Sequence, residues 1–478
     1  MSPLLRHDVG ISVMMRCLAS DSELEGSVDH GSTGTPSEVC PSSGGLGEPV
    51  TLPTDYSLLY RVADIENLNK AWRIVCKSAL NSQSSKIVAQ AKAFDQDSIR
   101  NLRRIESALK AGSFVFDGVY ARLLPREGKN PRPLAVAKIE ARIVQRGIHD
   151  ILLKNHGIKR LVKPVGKRNS FGGIKSESTK HAIEELCKCF HAGYNYYIAS
   201  DIKDFFQGVS RQIVHEKIFS CLDDSSINSL IEDSVKCEIV NASSPSIKKY
   251  INLFPRGEVG VIQGCCLSPL YGNIYLEDFD LLINSIEGVR CLRYIDDFII
   301  LAKHEGKLIK SFDKAMDILS AKGLAAYKLD EEHTKASFGD IRRGPVDFLG
   351  CSIAKGQVRP QKKARESLCV KIDTYIKDSL KEMVSSCGKR SICLNYINTI
   401  TKINNTLKGW GGAFSFCNDK SFFERLDAAM MEKISDYYRN FRSILSNING
   451  IKERQRLFGL QMLVDCVEGD LLLESSES

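Results

Sequence analysis

Two adjacent carboxylates, Asp296 and Asp297, lie between apolar runs in the stretch Arg293-Tyr294-Ile295-Asp296-Asp297-Phe298-Ile299-Ile300. Residues 289–292 and 298–302 favour strands, so the stretch predicts a tight hairpin with both aspartates at its tip. Carboxylates crowded at a strand turn repel each other unless a cation neutralises them, and hard divalent metals take oxygen ligands. A solvated acidic turn carries the same four-residue pattern, so the rest of the chain has to decide between them. A third carboxylate stands in Tyr196-Tyr197-Ile198-Ala199-Ser200-Asp201-Ile202-Lys203-Asp204-Phe205-Phe206, which reads as a buried strand ending on Asp201. An aspartate there can meet another segment, or simply cap a following helix.

Cations and glycines supply the other chemistry. In residues 119–136 alternating strand formers flank a turn-forming centre, with Arg126, Lys129 and Arg132 in or beside it. Such a basic hairpin suits a triphosphate or nucleic-acid backbone, or else solvates an exposed ribbon. A Gly-, Ser- and Lys-rich loop follows at 167–176. Gln263-Gly264 belongs to a loop running into an apolar helix through Ser268, Pro269 and Asn273; its glycines permit close backbone approach, though an ordinary helix start reads alike.

The positioning elements come from periodicity. Leu58, Leu59, Val62, Ile65, Leu68 and Trp72 recur at helical spacing. Further helices are expected at 97–111, stopped by Gly112, at 139–154, over 211–250 with a polar loop at 241–246, and at 308–322. A short strand and turn is expected at 347–352. After Pro360 an amphipathic helix places Leu368, Ile372, Tyr375, Ile376, Leu380 and Met383 on one face and Lys371, Lys377 and Lys381 on the other. Residues 20–53 are poor in bulky apolar side chains and read as a disordered leader or linker; the tail at 474–478 reads as frayed.

At 478 residues the chain suggests two or three packed domains, and 43% hydrophobic with 26% charged residues is a globular composition. The net charge of +8 says less than its distribution, because Lys and Arg crowd residues 100–180 and the helix after Pro360, as a phosphate-rich partner would favour. The sixteen cysteines sit mostly in apolar runs without paired CxxC spacing, which reads as reduced thiols in a cytoplasmic protein. There is no signal peptide pattern and no apolar stretch long enough for a bilayer.

In order along residues 58–416, these segments resemble the motif series of reverse transcriptases, in particular bacterial ones related to group II intron proteins. Leu59-Tyr60-Arg61-Val62, Glu66-Asn67-Leu68 and Ala71-Trp72 look like their N-terminal helix. Gly128-Lys129-Asn130-Pro131-Arg132-Pro133-Leu134, continued by Arg142-Ile143-Val144-Gln145-Arg146, looks like the first fingers motif, and Asn169-Ser170-Phe171-Gly172 the second. Asp201 to Phe206 resembles motif A, Gln263-Gly264 with Ser268-Pro269 and Asn273-Ile274 motif B, Tyr294-Ile295-Asp296-Asp297 motif C, and Phe348-Leu349-Gly350 motif E. Leu407-Lys408-Gly409-Trp410 is similar to the thumb signature of intron-type enzymes.

The resemblance implies an α+β right-hand polymerase. Its parts would be a leader (1–53), a helical extension of the fingers (54–120), fingers (121–195), a palm with an antiparallel sheet (196–355) and a helical thumb (356–478). It implies RNA-directed DNA synthesis with two Mg²⁺ ions, Mn²⁺ being a substitute, held by Asp201, Asp296, the supporting Asp297 and the Ile202 carbonyl. Arg126 and Arg132 match the cations that grip the triphosphate, Gln263 and Gly264 the loop that meets template and incoming base. Phe206 matches the steric gate against a 2′-hydroxyl, core packing being its alternative role. Two positions depart from the pattern: Ile262 replaces the usual Pro before Gln263, and His333-Thr334-Lys335 replaces the motif D lysine, leaving His333 or Lys335 as the general acid.

The implied partners are an RNA template, dNTPs and the cDNA product, with no membrane; a homo-oligomer is left open. Among family members the departures and the leader favour a stand-alone antiphage enzyme copying a cognate non-coding RNA. A group II intron maturase is the alternative and a retron enzyme a third, the appended nuclease of many intron proteins and the retron Val-Thr-Gly triplet both being absent.

Overall fold

A computed structural model describes residues 57–460 and 463, apart from 83, 127–128, 164–168, 332–333, 355 and 386–393. The expected leader (1–53), Gly128, Lys167, Arg168, His333 and the acidic tail lie outside the described residues. The chain divides into two compact units, one reaching to Asp340 and the other starting at Ile341.

The first unit opens with two helices, Leu58–Ala63 and Ile65–Leu80, where periodicity alone suggests one run. Asp64 makes the break, its carboxylate accepting from the Asn67 N–H at 3.0 Å and capping the second helix. Asn67 is buried, and its Nδ2 donates to the carbonyls of Val62 at 3.0 Å and Gly147 at 3.4 Å, which ties this helix to Ile139–Leu152. Helix Ser85–Gln96 escapes the periodicity because it buries little besides Ala91 and Phe94, the Phe94 ring lying 4.4 Å from Trp72. Helix Ser98–Lys110 ends where expected, before Gly112 at φ +64°.

The basic segment is a hairpin of β1 (Tyr120–Arg126) and β2 (Lys129–Val136). Its register runs from Tyr120 opposite Val136 to Leu124 opposite Arg132, then shifts at Pro125, which has no N–H for a ladder. The polar loop after residue 240 braces this hairpin, because Asn241 accepts from the Ala121 N–H at 2.8 Å and donates to the Ala121 carbonyl at 3.1 Å. Residues 211–250 contain three short helices, Arg211–Phe219, Asn228–Ser234 and Pro245–Lys248.

The site rests on a five-stranded sheet. Strand β3 (Tyr196–Lys203) pairs antiparallel with β5 (Asp297–Ala302), and β5 with β4 (Val289–Tyr294); β6 (Ala325–Ala326) and β7 (Ser337–Asp340) both pair with β3. Successive strand residues point to opposite faces, and Phe298 through Ala302 are buried without a gap, so both faces of β5 are covered. Helix Glu305–Ala321 packs on these strands and buries Leu308, Phe312, Ala315 and Leu319.

The second unit contains a three-stranded meander, β8 (Val346–Phe348), β9 (Cys351–Ala354) and β10 (Gln357–Pro360). Its first turn uses positive φ at both Leu349 and Gly350, as a tight primed hairpin requires. Helices Lys362–Ser385, Tyr396–Ala413, Lys420–Ser446 and Ile451–Phe458 follow. Leu368, Ile372 and Met383 are buried and Lys371, Lys377 and Lys381 exposed, the polarity expected of the helix after Pro360. The described cysteines are free thiols. No helix among the described residues is long and apolar enough to cross a membrane.

Candidate active site

Strand register brings the carboxylates together. Asp201 lies directly opposite Asp297 in the β3–β5 pair, and cross-strand partners carry their side chains on one face. Across the β4–β5 hairpin Tyr294 faces Asp297, so the tip is Ile295-Asp296, and Asp297 opens β5 instead of sharing the tip as the sequence suggested. Ile295 has φ +60°, at a place where a two-residue hairpin of this kind favours glycine. A β-branched residue held there costs about 1–2 kcal/mol. The Asp296 carbonyl accepts from the Ile202 N–H at 3.0 Å, which locks the tip to β3. Asp201 stands two residues inside the end of β3, and the chain turns at Asp204, φ +46°.

This crowding is electrostatically unfavourable. Burial pushes the Asp296 carboxyl above its ordinary value, with Arg132 and Arg293 pulling against the shift. Burial and the Asp296 charge together push Asp297 up to about 7. Asp201 Oδ1 is buried and has no hydrogen-bond partner, while Oδ2 meets the ammonium of Lys335. Lys335 and Lys203 both lie over the Tyr327 ring, at 5.0 and 4.8 Å from its centroid, and the Tyr327 N–H donates to the Asp201 carbonyl at 3.1 Å. An orphaned carboxylate oxygen beside two carboxyls with raised pKa is an all-oxygen donor set that fits a hard divalent cation. Among the described residues no cluster of three or more His, Cys, Asp or Glu side chains is already gathered on one point, and Lys335 holds one of the oxygens.

The basic hairpin and the glycine loop meet beside this turn. Arg132 Nε donates to Gln263 Oε1 at 2.8 Å. Burial lowers the Arg132 pKa, Asp296 opposes that shift and Arg126 adds to it, so charges from the hairpin and the turn act on one guanidinium. The Ala135 N–H donates to the Gln263 carbonyl at 3.0 Å, and a Cβ on Gly264, φ +117°, would lie 3.0 Å from the Ala135 carbonyl oxygen. Glycine is therefore required there by both angle and space. Arg126 is exposed, and its Nε donates to the Asn130 carbonyl at 3.2 Å. Phe206 is buried beside Phe205, ring centroids 5.2 Å apart, and its carbonyl accepts from the Val261 N–H at 2.8 Å, linking it to the loop before Gln263.

A buried polar group that the sequence reading did not single out backs the turn. Arg293, 1% exposed, sends Nε and one terminal nitrogen to Asp280 at 2.9 and 2.6 Å. Its other terminal nitrogen donates to Asn273 Oδ1 at 3.0 Å and to the Ile295 carbonyl at 2.9 Å. The legible signal was charge inside two apolar runs, Asp280 in 279–283 and Arg290 with Arg293 in 289–295.

An antiparallel sheet bearing carboxylates at neighbouring strand ends, flanked by a basic hairpin, makes this an α+β right-hand polymerase fold. Residues 124–353, which include every site residue named above, match the family model for the reverse transcriptase (RNA-dependent DNA polymerase), so the chain carries a reverse transcriptase domain, the domain of an RNA-directed DNA polymerase. Protein YkfC of Escherichia coli (strain K12) is 22% identical over 293 residues, spanning 51% of this chain and 71% of that protein. An uncharacterized 91 kDa protein in the cob intron of Schizosaccharomyces pombe is 23% identical over 223 residues, 46% of this chain and 26% of its own length. Among solved structures, apo telomerase from Candida tropicalis aligns with TM-score 0.39 at 15% identity, covering 72% of this chain and 63% of that one.

Proposed function

We propose that the protein is an RNA-templated DNA polymerase that adds dNTPs to a primer 3′-hydroxyl and holds two Mg²⁺ ions, or Mn²⁺ in their place, on Asp201, Asp296, Asp297 and the Ile202 carbonyl. The observation that carries this reading is the buried, unpartnered Oδ1 of Asp201 on the strand face it shares with Asp297, next to the Asp296 turn. Bound there, the ions would acidify the primer hydroxyl and offset charge on the triphosphate and leaving pyrophosphate. The chain's own residues do the rest. Arg132 and Arg126 bind phosphate oxygens, Gln263 and Gly264 place template and incoming base, and Phe206 sets the floor under the sugar. Lys335, whose ammonium meets Asp201, donates the proton that pyrophosphate takes. His333 is the alternative donor. In this reading residues 54–195 serve as fingers with their helical extension, 196–355 as palm and 356–478 as thumb.

Replacing Asp201 or Asp296 by Asn should lower primer extension on an RNA template by about a hundredfold or more, because several kcal/mol of charge stabilisation leaves with either carboxylate. Full extension by either variant would overturn the reading. For the biological setting we propose antiphage defence with a cognate non-coding RNA as template, on the departures at Ile262 and at His333 to Lys335. The similarity to a protein in a cob intron favours a second setting, an intron maturase. Sequencing the RNA that copurifies with the protein, and the DNA made when dNTPs and Mg²⁺ are added, separates the two.

A further inference from the structure

Arg293 is the crossing point of four segments. Its guanidinium uses four of the five N–H bonds an arginine has, on Asp280 of helix Glu277–Asn284, Asn273 of helix Ser268–Tyr275 and the carbonyl of Ile295 in the carboxylate turn. Its backbone carries the fourth. The Arg293 N–H donates to the Asn169 carbonyl at 2.7 Å and the Phe171 N–H to the Arg293 carbonyl at 3.0 Å, so residues 169–171 form a parallel bridge along β4. Asn273 closes the ring, its Oδ1 accepting from Ser170 Oγ at 3.2 Å and its Nδ2 donating to the Gly172 carbonyl at 2.9 Å. A Cβ on Gly172 would stand 2.6 Å from Ile295 Cγ1, so this loop presses directly on the turn.

Stability does not explain such an arrangement. The Arg293 and Asp280 side chains are 1% and 4% exposed, and a buried ion pair is commonly no more stabilising than apolar side chains of equal volume. What the pair does supply is a fixed donor under a carbonyl whose residue is held at positive φ.

We propose that Arg293 is a positioning residue for polymerisation: locked by Asp280 and Asn273, it fixes the Ile295 carbonyl and so the turn that presents Asp296 and Asp297. The proposal rests on the polymerase reading above. Lysine keeps the charge but has no planar fork to serve Asp280 and the turn together. An apolar pair removes both the charge and the fork while filling the space.

The test compares wild type, Arg293→Lys, and the double variant Asp280→Leu with Arg293→Met, in the full chain. Thermal unfolding establishes which variants fold, and the apolar pair keeps the test alive if a lone lysine does not. The expected result is amide hydrogen exchange across 294–298 at least tenfold faster than wild type, in metal-free protein. With it goes a kcat for primer extension about 100-fold lower at nearly unchanged dNTP KM, the effect of misplacing reacting groups by about 1 Å. A folded variant with wild-type exchange and wild-type kcat would overturn the proposal and leave Arg293 as core packing. If the wild type itself extends no primer, the polymerase reading fails, while the exchange measurement still decides whether Arg293 holds the turn.

Discussion

The aspartate pair should make the metal-free protein less stable as pH rises. Asp297 is held up to about 7 by burial and by Asp296, against an ordinary value of 3.8. Between those two values the folded chain keeps a proton that the unfolded chain has lost. The stabilising contribution of that proton is full below about pH 4 and lost as pH rises through about 7. Three units at about 1.4 kcal/mol each set a ceiling of about 4 kcal/mol. Both side chains keep partial contact with solvent, which screens their repulsion, so about 1–2 kcal/mol is the expected size. The assay is thermal unfolding in chelator from pH 5 to 8, wild type against Asp297→Asn, because the difference leaves only Asp297 and Asp296, the group that interacts with it. At pH 8 the Asn variant should be more stable by that amount, about 2–4 °C in Tm per kcal/mol, and the difference should shrink steadily as pH falls, with most of it gone at pH 5. Mg²⁺ at pH 8 should then raise the wild-type Tm more than that of the variant, the wild type gaining about 2.7 kcal/mol of stability at a hundred times its Kd. A stability difference that stays constant from pH 5 to 8 would refute the crowding argument.

Two further perturbations address the walls of the site. Gly172→Ala places a Cβ 2.6 Å from Ile295 Cγ1 and 2.7 Å from the Ile295 backbone nitrogen, so it should cost about 1–3 kcal/mol and lower kcat. Gly306→Ala is the control, since its Cβ meets nothing within 4 Å inside helix Glu305–Ala321, and a wild-type Tm for Gly172→Ala would contradict the close approach. Phe206→Val keeps an apolar side chain in the buried position and should raise ribonucleotide incorporation about 10- to 100-fold on the same template. Unchanged discrimination would assign Phe206 to the core alone.

What could be read from the chain beforehand was what local pattern controls. The β1–β2 hairpin and the strands around Asp201 and Asp297 announce themselves by alternation and apolar runs, and helix Ser98–Lys110 by its spacing and Gly112. Helix Ser85–Gln96 was hidden because only two of its residues are buried, and the break at Asp64 because a cap is chosen by backbone geometry that periodicity does not carry. Register was the larger loss. Whether Asp296 or Asp297 faces Asp201 depends on where a two-residue tip closes, and one residue of slip moves every side chain to the other face. The pairing of Arg293 with Asp280 and Asn273 was unreadable for another reason. Those partners stand 13 and 20 residues away, on helices whose packing on the sheet exists only in the fold.

The same short stretch gathers several unfavourable terms. Ile295 is held in a left-handed conformation, Asp297 is ionised with difficulty, Asp201 keeps a bare buried oxygen, and a buried ion pair stands beneath them. None of these helps folding, and an apolar hairpin with glycine at its tip would avoid the strain at Ile295 and the crowding at Asp297. The sheet can carry them because its β5 strand is buried on both faces from Phe298 to Ala302, where apolar burial of about 1.5–3 kcal/mol per side chain offsets local strain. Strain concentrated in a well-packed scaffold keeps the carboxylates together in spite of their repulsion, which a relaxed turn would relieve by letting them drift apart. A bound cation would then gain the electrostatic energy that the metal-free protein forgoes. On this argument the Asp296 turn has to be held by its scaffold because it is electrostatically unfavourable, and relaxing it should lower metal affinity even where it raises stability.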